Sequence, residues 1–164
     1  GHKQAQSGLK AAQEQAKSTE RITRLQIEAS LIASSRQQWV DALRLELAQF
    51  LAEISRMRMV MQNEEPDVVS VREWFTVLAR SHAQIELMLD RDEETHVVLS
   101  RHLTEHLELV VQGEDIPAAH AMALIITAGK DVFTREAERI QQVAQQGVSG
   151  LFHAPRGATA GVAR

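Results

Sequence analysis

The sequence predicts an all-α protein, a long helical stalk running into an antiparallel four-helix bundle, and three observations predict it. Helix breakers are confined to a few places: Gly1 and Gly8 stand at the start, the other glycines begin at Gly113, and Pro66, Pro117 and Pro155 are the only prolines. Between them, apolar residues recur at alternating steps of three and four. No stretch shows the sustained period-two alternation of β-branched and aromatic residues that a half-buried strand requires.

The first helix carries the strongest pattern. Val40, Leu43, Leu47, Phe50, Ile54, Met57 and Met61 fall on one helical stripe, the arrangement of a packed seam. The stripe continues weakly back through Ile22, Leu25, Ala29 and Ile32, then fails between Gln4 and Ser18, where Gln and Ala form helix readily but bury little. With no breaker from Leu9 to Pro66, one helix of about 55 residues is expected, roughly 80 Å at 1.5 Å per residue. That outruns the later helices, so its front is expected to project as a stalk over 1–33.

Residues 63–67, Asn-Glu-Glu-Pro-Asp, read as a turn, after which Val71, Phe75, Leu78, His82, Ile85 and Leu89 form the stripe of a second helix. Asp90 is expected to cap the third helix, with Glu93 as its capping-box partner. That helix carries His96, Leu99, Leu103, His106 and Val110 on one face. Gly113 closes it, and Asp115-Ile116-Pro117 opens a fourth, expected to bury Met122, Ile126, Gly129, Phe133, Ala137, Ile140 and Ala144 and to end near Gly147. Short turns force antiparallel neighbours, so helices over 34–62, 68–89, 92–112 and 117–146 make an up-down bundle within a 34–147 domain. Residues 148–164, rich in Gly and Ala, are expected to form a flexible tail.

Composition narrows the function classes. The 164 residues are 44% hydrophobic and 24% charged, with a net charge of -4 and no Cys. This suits one globular domain and excludes disulfides, thiolate metal sites and cysteine nucleophiles. The net charge gives no pull towards nucleic acid, and the basic residues near the start are interleaved with Gln and Ala without an aromatic platform. No Gly-rich phosphate loop and no Gly-x-Ser-x-Gly elbow is present. No catalytic residue and no cofactor is therefore expected.

Two constellations remain. His82, His96 and His106 lie on the apolar stripes of two helices that pair antiparallel, with Glu93, Glu86 and His120 nearby. One reading is a His/carboxylate metal site inside the bundle; the other is a set of core histidines bonded locally. Only Glu93-Glu94-Thr95-His96 has the Glu-x-x-His form that di-iron bundles repeat. The second constellation is Arg36, Trp39 and Arg44. Either the arginines bind an anion, or Trp39 seals one end of the bundle while the arginines pair with acids on adjacent helices.

Up to Arg24 the chain holds Lys3, Lys10, Lys17, Arg21 and Arg24 against Glu14 and Glu20. This basic excess fits either the cytoplasmic flank of a membrane helix lying upstream of Gly1 or a plain solvated helix.

The segment from Ser34 to Phe50, with Arg36-Gln37-Gln38-Trp39-Val40, Leu43-Arg44 and Leu47-Ala48-Gln49-Phe50, resembles the R-Q-x-W-I-x-x-L-R-x-x-L-A-x-F segment of an uncharacterised group of small bacterial and prophage proteins. Ile85 to His96 resembles that group's L-L-L-N-P-x-E-x-x-H segment, with Asp90-Arg91 in place of Asn-Pro, and Glu136 to Ile140 resembles its E-W-E-R-I segment, with Ala137 in place of Trp. The resemblance spans most of 9–143. It implies a membrane-anchored helical domain on the cytoplasmic face of the inner membrane and supplies no catalytic or ligand residue. The function expected is a non-enzymatic, membrane-tethered scaffold or interaction domain that self-associates through its first helix or takes a protein partner. The alternatives are a metal-binding bundle and an adaptor in phage–host conflict.

Overall fold

The computed structural model describes residues 2–63, 67–112 and 118–152. They form four helices, α1 (His2–Asn63), α2 (Val68–Met88), α3 (Glu94–Gln112) and α4 (Ala118–Phe152), and no strand occurs among them. The all-α reading therefore holds. The chain separates into two compact units, one of Gly1–Arg36 with Arg139–Arg164 and the other of Gln37–Glu138.

The 37–138 unit contains the main core. From α1 it takes Val40, Leu43, Leu47, Phe50, Ile54 and Met57, the stripe expected from spacing; the side chain of Met61 lies outside the described residues. From α2 it takes Leu78 and Ile85, and from α3 Leu99 and Leu103. Cross-helix contacts fix the directions. Arg44 meets Phe133 and Ser55 meets Met122, so α1 and α4 run antiparallel. Trp39 meets Met88 while Phe50 meets His82, which sets α2 antiparallel to α1. An added Cβ at Gly129 would stand 3.4 Å from Leu47 Cδ1, an ordinary contact distance, so α4 lies directly against α1 at this glycine.

Three local expectations are corrected. The most buried face of α4 runs through Ile125, Ala128, Val132 and Glu136, one position back from the expected stripe, of which Gly129 is buried and Met122, Phe133 and Ile140 are half-buried; Ile125 is 1% exposed and Ile126 42%. Ala137 and Ala144 are exposed as well. Residues 118–129 are almost all apolar, so two faces fit the spacing equally, and a glutamate on the true face disguises it.

The start of α3 also differs. The Asp90 carboxylate accepts from the Asp92 N–H at 3.0 Å in an Asx turn, and the Asp90 N–H donates to His96 Nδ1 at 2.9 Å. His96 thus takes the hydrogen bond that a capping box would give to Glu93, and α3 begins at Glu94 rather than at 92. At the other end of the preceding helix, Leu89 caps α2 in an extended conformation, its N–H bonding Ile85 and Glu86 carbonyls. The start of α2 is held by Asp67, which accepts from the Val69 and Ser70 N–H groups at 2.8 and 3.0 Å.

Finally, α4 does not end near Gly147 but continues to Phe152. Within the first unit, an added Cβ at Gly147 would lie 3.0 Å from Ala29 Cβ. This glycine makes room for a neighbouring helix instead of stopping its own. The rest of the expected tail, 153–164, lies outside the described residues.

Candidate functional site

Three helices of the 37–138 unit meet at the α2–α3 turn. Trp39 on α1 donates its indole N–H to the Met88 carbonyl at 3.1 Å, satisfying one of the acceptors that the last turn of α2 leaves without an intrahelical partner. The same ring stacks on His96 of α3, centroids 5.4 Å apart and planes 19° apart. His96 is buried, and its Nδ1, accepting from Asp90, must be unprotonated. In this arrangement the ring proton is on Nε2. One aromatic pair and two backbone bonds thus fix α1, the end of α2 and the start of α3.

A cleft of about 270 Å³ opens beside this joint, lined by Glu86, Leu89, Asp90, Arg91, His96, Val97 and Ser100. The inner oxygen of Glu86 is shielded from solvent without a hydrogen-bond partner among the described residues. It stands 3.8 Å from His82 Nε2, which lies 3.2 Å from Thr104 Oγ1. Protonation of His82 would turn this neighbour into an ion-pair partner.

The structure disperses the residues of the metal reading. His96 is tied into the joint, His82 sits against Thr104, and His120 is exposed on α4. Glu93 is half-buried at the entrance to α3. His106 is 3% exposed, and neither ring nitrogen has a hydrogen-bond partner among the described residues. Burial, reinforced by the positive charge of Arg58, pushes its proton affinity below the ordinary histidine value. Among the described residues no group of three or more His, Asp or Glu is placed to hold a metal ion. The helical stripes brought three histidines inward but did not bring their nitrogens to one point.

The other cluster divides as well. Trp39 and Arg44 lie in the 37–138 unit, and Arg36 is a half-buried residue of the other unit. Among the described residues Arg44 pairs with no acid on a neighbouring helix. Its guanidinium lies 4.8 Å from the centre of the Phe133 ring, and its carboxylate partner is Asp41 on α1 itself, 3.6 Å away. A ring face accepts a guanidinium without desolvating a second charge.

Spacing alone missed Ser81 and Glu136, both buried on packed faces. Ser81 stands between Leu78 and Ile85 at steps of three and four, and Glu136 follows Val132 by four. Reading position before polarity would have found both.

The front of α1 offers a surface of another kind. Leu9, Leu25, Ile27, Leu31 and Ile32 are exposed there, Leu9 and Leu31 by 65% each. Lys10, Glu14, Lys17, Glu20, Arg24 and Glu28 intersperse both signs of charge among them, and Arg24 pairs with Glu28 at 3.6 Å. Among the described residues no helix is long and apolar enough to cross a membrane.

No family model, curated protein or solved structure matches the chain. The likeness to the bacterial and prophage group stands on the quoted residues alone.

Proposed function

We propose that this protein is a non-enzymatic helical scaffold that self-associates through the front of α1. The observation that carries the reading is the set of large apolar side chains left exposed on that segment, with Leu9, Ile27 and Leu31 on one helix face and Leu25 and Ile32 on another. Scattered single apolar residues need no explanation, but Ile27 and Leu31, one turn apart on one face, offer area to be removed from water. A second copy suits this surface because the flanking charges are of both signs, so an antiparallel copy can set Lys10 near Glu28 and Glu14 near Arg24.

Tethering at the cytoplasmic face of a membrane belongs to the same proposal. It draws on the family resemblance and on the basic excess up to Arg24. The chemistry of the 37–138 unit is in keeping with a scaffold: His96 is committed to the joint and His106 is shut away from solvent.

Light scattering on a sizing column tests self-association with the whole chain. The wild type is expected to run as an oligomer, and Ile27→Gln with Leu31→Gln to run as a monomer with unchanged helix content, since both side chains are exposed. A wild type that is monomeric at high micromolar concentration overturns the proposal.

A further inference from the structure

We propose that His106 is an acid-sensitive element built into the 37–138 unit, proton uptake by its ring being coupled to loosening of α3 from the other helices. The geometry carries this. The ring is 3% exposed, on the same buried face as Leu99 and Leu103, with both nitrogens closed off from solvent and unpartnered among the described residues. A neutral imidazole has one N–H donor and one acceptor, and among the described residues neither finds a partner. The native state already bears a desolvation cost, and a charge at this position raises it further.

Among the described residues the surroundings offer the proton no compensation. From α1, Arg58 bears on the ring with a charge of the same sign as imidazolium. On α3 itself, His102 is engaged with Glu105 at 3.4 Å. On α2, His82 is engaged with Thr104 and faces Glu86, while Arg80 is exposed. On α4 the nearest titratable group to this end is His120, also exposed, and the buried residue there is Ile125. No carboxylate contributes to the shift of His106. The contrast is with His82, whose glutamate neighbour can receive a charge in place.

The direction of the pH effect follows from linkage. The folded state holds the His106 proton less tightly than the open chain does. Stability from this residue is therefore fully present above the ordinary histidine range and is lost as pH falls through about 6.5 towards the lowered folded value. Over that window one proton taken up on opening raises the unfolding equilibrium constant by up to about tenfold per pH unit. The informative quantity is the difference between the wild type and a His106 variant, in which the contributions of other groups cancel.

Urea unfolding of the full chain between pH 7.5 and 5, followed by far-ultraviolet circular dichroism, measures it. The wild type is expected to lose stability on acidification more steeply than His106→Leu and His106→Gln, with His106→Leu the more stable chain at pH 5. Should either variant fail to fold, ring-nitrogen NMR of the wild type decides: His106 is expected to stay neutral in the folded protein at a pH where an exposed histidine is charged. Equal acid slopes in wild type and variants, or a folded-state His106 titrating at the ordinary midpoint, overturns the proposal.

Discussion

Replacing Trp39 separates what its ring contributes from what its indole N–H contributes to the meeting of α1, α2 and α3. The ring is half-buried, packs against the core and stacks on His96 at 5.4 Å. Truncating a buried Trp to Ala costs about 3–5 kcal/mol, and partial exposure places Trp39→Ala near 3 kcal/mol. Trp39→Phe keeps an aromatic face for His96 but strips the Met88 carbonyl of its donor at 3.1 Å, a loss of about 1 kcal/mol. Urea unfolding by far-ultraviolet circular dichroism at pH 7.5 suits the comparison, because fluorescence would mix Trp39 with Trp74. A double-mutant cycle of Trp39→Ala with His96→Ala is expected to show coupling of about 0.5–1.5 kcal/mol from the stacked pair. If Trp39→Phe unfolds like the wild type and the cycle shows no coupling, the indole neither bonds the α2 terminus nor stacks on His96, and the reasoning fails.

Other perturbations act on single contacts. Gly8→Ala meets nothing within 4 Å and is expected to raise stability or helicity by up to about 1 kcal/mol through helix propensity. Gly147→Ala is expected to forfeit that gain, because its Cβ would press on the short, fixed side chain of Ala29 at 3.0 Å; thermal unfolding of the two variants side by side checks this. Asp67→Ala should lower the unfolding midpoint by removing the cap of α2. Hydrogen bonds from Ser70 and Val69 hold the Asp67 carboxyl below its ordinary value, so its contribution is present above the usual carboxylate range and lost as pH falls through the lowered value. The Asp67→Ala chain should accordingly lose less stability than the wild type on acidification below about pH 4, measured by the same urea titrations.

The stripes on α1, α2 and α3 were legible because polar residues interrupt the apolar ones at the helical period, leaving a single face to bury. Even the inward placement of His96 and His106 could be read from position alone. On α4 the signal was degenerate: Ile125 and Ile126 are equally apolar, and only packing against α1 decides which goes in. The turn after α2 misled for another reason. Asp90 and Glu93 have the spacing of a capping pair, but a histidine three residues further on competed for the same N–H and won it. For the histidines, a stripe specifies which residues face inward and says nothing about where their nitrogens end up, and among the described residues no three His, Asp or Glu are placed to hold a metal ion.

The joint at the α2–α3 turn is addressed to the main chain. Trp39 binds a carbonyl and His96 binds an N–H, groups that residues 88 and 90 present whatever side chains they carry, Pro at 90 excepted. The letters of the turn are therefore exchangeable, and the resembled segment with Asn-Pro in place of Asp90-Arg91 could be fastened in the same way. What must be kept together is a pair distant in sequence, one residue on the first helix and one on the third. In a collection of related chains, the signature of this turn would be read at positions 39 and 96.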